Sequence, residues 1–234
     1  MISVALPIWN NRVIAWLPME GLCRQITNVE WELLVMECIS PDILGEDYFR
    51  QWEGRLKDAG CNRIKYIYSD TRLPLSRKWK IMGGKARGKY FCLQGSDDYP
   101  HPERNQSVWD NRADWYDINK YYHFDVNKKK VILYDNKGTG TGFNMAVRTK
   151  LLRRLPKNDV SRYVDGYMIQ NIQPSSISKD KNIYCGISTN GVNTISIKRG
   201  DYYDNPIPPF YATDKTLFDI GLPDEISNRL WTLM

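Results

Sequence analysis

Two adjacent carboxylates, Asp97 and Asp98, follow the short apolar run Tyr90-Phe91-Cys92-Leu93 through Gln94-Gly95-Ser96. An apolar run of that length reads as a buried strand, and consecutive side chains at a strand end diverge, so the two acids can do different jobs. Oxygen-only donors that leave coordination positions open suit Mg²⁺ or Mn²⁺ held jointly with substrate phosphates. Adjacent carboxylates also repel, and a nearby cation relieves that repulsion. The same segment, Asp97-Asp98-Tyr99-Pro100, is equally good turn chemistry, and spacing alone does not choose between the two. Two further polar signals end apolar runs: Pro7-Ile8-Trp9-Asn10 after the first, and Glu37-Cys38-Ile39-Ser40 after the second.

The elements that must position these groups follow from periodicity. Residues 2–8, 31–36, 64–68 and 90–93 read as strands. Between them, residues 12–25, 47–59 and 75–86 carry apolar side chains at helical intervals, with Pro18 tolerable near a helix start, Gly60 placed as a C′ glycine and Gly88 as a stop. The order β-α-β-α-β-α-β implies right-handed crossovers and a mainly parallel, twisted sheet with helices on both faces. In such a sheet ligands bind beyond the carboxyl ends of the strands, where all three polar signals stand. The pattern then changes. Residues 115–125 and 130–134 suggest a hairpin, a glycine loop spans 138–142, helices are expected at 149–155, 164–172 and 223–233, and Pro206-Ile207-Pro208-Pro209 marks a loop. With no repeat, low-complexity tract or linker, one domain over residues 1–234 is expected.

Three segments carry a resemblance to a known family. Residues 2–10 (Ile-Ser-Val-Ala-Leu-Pro-Ile-Trp-Asn), residues 31–40, and above all Ala86-Arg87-Gly88-Lys89-Tyr90 running through Asp97-Asp98 resemble, in order and separation, the family-2 glycosyltransferases of the GT-A fold. The resemblance covers roughly residues 1–105; Gly142 to Arg148 and Tyr163 to Met168 match more loosely. It implies an α/β, GT-A-type sheet, with a donor half over 1–105 and an acceptor half over 106–234 that adds a smaller hairpin and C-terminal helices. It also implies a metal-dependent, inverting transfer of a sugar from a nucleotide-diphosphate sugar to an acceptor hydroxyl. Residue by residue, Pro7, Trp9 and Asn10 would line the nucleotide pocket, and Glu37 would contact uracil or ribose, with Cys38 standing where the family has a second Asp. Arg72, Arg77 or Lys78 would reach donor base or phosphate, with Arg72 and Lys78 carried forward as site residues. Asp97 would contact ribose or sugar, Asp98 would bind Mn²⁺ or Mg²⁺, and Asp165 would be the catalytic base. Asp165 is also a plausible helix N-terminal carboxylate satisfying orphan amides. Some relatives add a downstream histidine to the metal; here no histidine follows His123.

Composition narrows the alternatives. The 234 residues carry 33 basic and 27 acidic side chains, a net charge of +6, and 42% hydrophobic residues, which excludes a disordered chain and a multispan membrane protein. The apolar start lacks a basic n-region, and the five cysteines are widely and irregularly spaced, so a soluble, cytoplasmic protein with reduced thiols is expected. Two histidines and no Cys-x-x-Cys leave little for a zinc site. There is no P-loop and no nucleophile elbow, and the 138–142 glycines miss the dinucleotide fingerprint. His101, between two prolines, reads as a surface turn residue, and Trp109, Trp115, Tyr116, Tyr121 and Tyr122 either pack the core or offer a stacking wall. Basic runs at Lys128 to Lys130, Arg153-Arg154 and Lys198-Arg199 leave the acceptor open between a saccharide and a modified nucleic-acid base, whose phosphates such clusters would meet. The alternative is a non-catalytic nucleotide- or carbohydrate-binding protein on the same scaffold.

Overall fold

The computed structural model describes residues 1–125, 129–135, 145–155, 177–190 and 210–233. Four strands form the parallel half of the sheet: β1 (Ile2–Ile8), β2 (Trp31–Cys38), β3 (Cys61–Ser69) and β4 (Tyr90–Leu93). They stand in the order β3-β2-β1-β4, with Val4 opposite Leu33 and Cys92. Alternation assigns each strand's two faces. Val4, Leu6, Leu33 and Val35 join a core shared with helix α1 (Trp16–Leu22) and helices α2 (Glu46–Arg50) and α3 (Glu53–Asp58). Ala5, Leu34, Met36 and Phe91 face the opposite core, filled by Trp79 and Met82 of α4 (Leu75–Lys85). Helices therefore cover both faces, as the periodicity predicts.

The rest of the sheet is antiparallel or mixed. β4 pairs with β8 (Ala146–Arg148), and β8 pairs with β6 (Trp115–Asp125). β6 turns back as β7 (Lys130–Asp135), forming the expected hairpin with Phe124 opposite Val131, and β10 (Phe210–Ala212) extends it. β5 (Asp98–Tyr99) follows the acidic pair directly and lies antiparallel to β9 (Ile177–Asn190), which runs parallel to β6. Among the described residues these ten strands make one sheet.

Several boundaries differ from the periodic reading. The helix expected at 12–25 is shorter, because Pro18 lacks the amide that a position deeper than the first turn must donate; α1 starts at Trp16, which leaves Pro18 in that turn. The helix expected at 47–59 is two helices. The Trp52 amide bonds Phe49 O at 3.2 Å, an i−3 contact that tightens the chain and turns Trp52 into the core. Gly60 does end it with φ +85. Residues 149–154 form 3₁₀ turns rather than an α-helix. Helix α5 (Arg104–Asn111) has no counterpart in the periodic reading, and α6 (Asp224–Trp231) is the expected terminal helix. The 138–142 glycine loop, the 164–172 helix and the 206–209 loop lie outside the described residues.

Among the described residues, no helix is long and apolar enough to cross a membrane. Cys38, Cys61 and Cys92 are buried free thiols, and burial pushes the last two up to about 11.

Candidate functional site

The carboxyl ends of β1, β2 and β4 come together, and side chains lock their loops. After β1, Asn10 takes φ 51, a left-handed conformation that asparagine tolerates better than most residues. Asn11 then opens the turn into α1, its carbonyl accepting the amides of Ile14 and Ala15 at 3.2 and 2.9 Å. Its side-chain amide donates to Ser96 Oγ at 2.6 Å, which ties the loop after β1 to the acidic loop after β4. Pro7 lies within β1, opposite Met36, and Trp9 is half-buried just beyond the strand. The Arg72 guanidinium lies 3.6 Å from the centre of the Trp9 ring, close enough for a cation–π stack.

At the end of β2 the structure gives Glu37 work inside the fold. Its carboxylate accepts the amides of Leu44 and Gly45 at 2.9 and 3.0 Å and the Tyr66 hydroxyl at 2.7 Å, and the residue is wholly buried. That is anchoring of the 39–45 loop, a different task from the nucleotide contact the resemblance implies. Burial and the Glu37 charge push the Tyr66 phenol upward. Lys78 is likewise engaged: its ammonium donates to Ile8 O at 2.7 Å, and the residue is 5% exposed. Burial pushes Lys78 below the usual lysine range, with the neighbouring Cys38 thiol acting in the opposite sense. Of the three basic candidates, Arg72 therefore reaches Trp9, Lys78 stitches β1 to α4, and Arg77 faces solvent.

The acidic pair sits on a turn that depends on glycine. A Cβ on Gly95 would stand 2.0 Å from Asp98 Oδ2, inside the carboxylate's van der Waals envelope. The Gln94 amide donates to Gly95 O at 3.0 Å and to Asp98 O at 2.8 Å, bracing the turn from within. Gln94 in turn accepts Arg104 Nη1 at 2.8 Å, while Arg104 Nη2 donates to Leu93 O. Arg104, the first residue of α5, is 2% exposed, so a full positive charge lies beneath the loop. Burial and the Asp97 charge push Asp98 well above the usual carboxylate range, and Arg104 opposes that shift. Burial also raises Asp97. Two crowded, desolvated carboxylates favour a cation, and their hard oxygens fit Mg²⁺ or Mn²⁺. Among the described residues no three His, Cys, Asp or Glu side chains gather, so Asp97 and Asp98 would share the ion with ligand and water oxygens.

The histidines do other things. His101 Nδ1 accepts the Glu103 amide at 3.1 Å at the start of α5. His123 Nε2 lies 2.7 Å from the Tyr121 hydroxyl, and in the sheet register it is two strands from Asp98, across Ser188 of β9. Asp165 lies outside the described residues. Sequence reasoning missed Asn11, Gln94, Gly95 and Arg104. Gly95 carried a signal, a glycine just before Ser-Asp-Asp; Arg104 carried none, since Pro-Glu-Arg reads as an exposed helix start.

No protein-family model matches the sequence, and no curated protein matches it either. Solved structures do. TarS of S. aureus, as the 1–349 fragment with UDP, superimposes with a TM-score of 0.63 at 18% identity over 80% of this chain and 60% of its own. The same fragment with UDP-GlcNAc gives 0.61 at 15% identity, over 98% of this chain and 70% of its own. The mannosyltransferase PcManGT of Pyrobaculum calidifontis, in complex with GDP-Man and Mn²⁺, gives 0.55 at 12% over 83% and 57%. This chain has the GT-A fold. It spans 36% of the longer TarS chain. On this GT-A sheet the acidic pair follows β4, the strand beside β1, so the Trp9 and Asp97-Asp98 loops border one crevice.

Proposed function

We propose that this chain is a metal-dependent, inverting glycosyltransferase that moves a sugar from a nucleotide-diphosphate sugar to an acceptor hydroxyl. One observation carries the reading: the braced Asp97-Asp98 turn, tied through Ser96 and Asn11 to the Trp9 loop, on a GT-A sheet. Its structural neighbours include complexes with UDP, UDP-GlcNAc and GDP-Man. Trp9 offers an aromatic face and Arg72 a planar cation for the base, beside Pro7 and Asn10. Asp97 would face the ribose or the sugar, and Asp98 would hold the metal. A bound Mn²⁺ or Mg²⁺ would offset the negative charge that builds on the departing diphosphate. A carboxylate must accept the acceptor's proton as its oxygen attacks the anomeric carbon from the opposite face, and one displacement inverts that centre. Asp165 is assigned that role by its sequence position. The donor site belongs to residues 1–105, the acceptor side to 106–234, and the acceptor is a saccharide or a modified nucleic-acid base. Reduced thiols fit a cytoplasmic setting.

The test is nucleoside diphosphate release from a panel of nucleotide sugars with Mn²⁺ or Mg²⁺. One donor should turn over slowly without acceptor, and Asp98→Asn should abolish that turnover. Asp165→Asn should bind donor normally yet transfer about 10²–10⁴-fold more slowly. The occupied Glu37 carboxylate favours a second reading, a binding protein on the same scaffold; donor binding without turnover, whatever the acceptor, would select it.

A further inference from the structure

The chain's net charge is +6, and the fold gathers unpaired cations at one edge. Lys85 ends α4, Arg87 and Lys89 lie in the turn into β4, Arg112 follows α5, and Lys150 and Arg153 ride the 3₁₀ turns. All six are exposed. Three separate stretches of sequence meet here through specific contacts. Tyr90 is in register with Arg148, the Thr149 amide donates to Lys89 O at 3.0 Å, and Thr149 Oγ1 donates to Gly88 O at 2.6 Å. Arg148 Nη2 donates to Arg112 O at 3.2 Å, and Leu152 packs on Gly83 of α4. Two neighbouring carboxylates are engaged elsewhere, Asp114 with Arg148 and Glu32 with Arg63, and the exposed Glu30 acts on the Met1 amino group at the same edge. Among the described residues none of the six cations has an ion-pair partner.

We propose that this edge, at the amino ends of β1 and β4, is a docking surface for the phosphate backbone of a nucleic acid. Lys89 lies over the Tyr90 and Trp109 rings and Arg153 donates to Lys150 O, yet like charges gathered without carboxylate partners are self-repelling, and a line of phosphates relieves them while releasing counterions. Three of the six are arginines, whose planar forks match phosphate oxygens. A lipid surface fits less well. Among the described residues the exposed large apolar side chains, such as Ile26, Ile43, Phe218 and Trp231, belong to other segments, so the described part of this edge offers nothing to insert. The acidic pair also lies at the other end of β4: Gln94 stands five steps along the chain from Lys89, roughly 16 Å at 3.3 Å per residue. A flat membrane seated on this edge would leave that crevice facing away, whereas a polymer can pass along the side of the sheet.

The inference goes beyond the donor reading and is measured without any nucleotide sugar. Fluorescence anisotropy with labelled 30-base single- and double-stranded oligonucleotides, between 50 and 200 mM salt, is the experiment. Six phosphate contacts to a duplex predict about a 10³-fold loss of affinity over that range. The triple variant Lys85→Gln/Lys89→Gln/Lys150→Gln should roughly halve the log–log salt slope and leave donor turnover unchanged. Failure of both oligonucleotides to bind, affinity untouched by the triple variant, or capture by phosphatidylserine vesicles in place of oligonucleotides would each overturn it.

Discussion

A guanidinium held inside a protein is tolerated where its charge and its N–H groups are answered. Arg104 is answered in part: Gln94 Oε1 and Leu93 O take its two terminal nitrogens and Asp98 lies close by, while its Nε has no hydrogen-bond partner, and it shapes the acidic loop while only 2% exposed. Supporting groups of this kind typically change metal affinity by about 10–100-fold when removed. Arg104→Gln should therefore weaken Mn²⁺ binding by about that factor in calorimetry, and Arg104→Lys should recover part of it. Leu230→Ala, a core change in α6, should lower stability by about 2–5 kcal/mol while leaving Mn²⁺ affinity alone. The carboxylates give a pH signature with a definite sign. Asp97 and Asp98 are raised above their ordinary value of 3.8, so the folded state holds protons that the unfolded chain has released. Metal-free protein should lose stability as pH climbs from about 4 through the raised values, and the Asp97→Asn/Asp98→Asn variant should lack that loss. Added Mn²⁺ should remove most of the loss; melting curves from pH 4 to 8, with and without the ion, read this directly. The acidic pair was legible in the sequence because its signal is local, a strand running into carboxylates. Glu37 was legible as an acid at a strand end, but its three partners depend on how the 39–45 loop and β3 return in space.

The elements are held together most firmly at the ends opposite the crevice. Glu32, fully buried in β2, accepts Ser3 Oγ at 2.6 Å from β1, Arg63 Nη1 at 2.7 Å from β3 and the Arg87 amide at 2.6 Å before β4. One carboxylate thus clamps all four parallel strands. Its loss would orphan Arg63 and the Ser3 hydroxyl, and removal of one partner from a buried pair costs about 3–5 kcal/mol. Glu32→Ala should show that loss in urea unfolding. Gly88 stands in the same clamp, where a Cβ would meet Ser3 N at 2.5 Å and Ile2 C at 2.6 Å. Because those atoms are backbone, Gly88→Ala should disturb the β1–β4 register and lower the midpoint even with Glu32 intact. The parallel half was readable because β1, β2 and β4 are near-continuous apolar runs buried on both faces and its helices keep a 3.6-residue period. The other half was only partly readable. β5 has two residues and β8 three, too few for any period, and β9 mixes lysines and serines with isoleucines. β8 is placed by pairing with β4 and β6, β9 by pairing with β6, and β5 by pairing with β9, none of which a local pattern records. The β6–β7 hairpin was the exception, since both of its strands carry local polar-aromatic runs.

Across the whole molecule, two ends of one sheet carry different chemistry: paired acids beyond the carboxyl end of β4, and unpaired cations before its amino end. β4 itself is buried on both faces and bonded on both sides, to β1 and to β8. A strand so enclosed is a strut rather than a spring, and close-packed interiors do not deform by degrees. Among the described residues, polymer bound at the cationic end therefore meets no bistable element through which to alter the acidic end, and a coupling free energy between them requires one. What it can change is effective concentration: a tethered chain presents its own hydroxyls to the crevice repeatedly, without any new contact there. Saturating oligonucleotide should leave the donor dissociation constant unchanged, because linkage is reciprocal and none is built in. The advantage would belong to long acceptors alone, as a KM that falls with chain length until the polymer spans the sheet and then levels off at constant kcat.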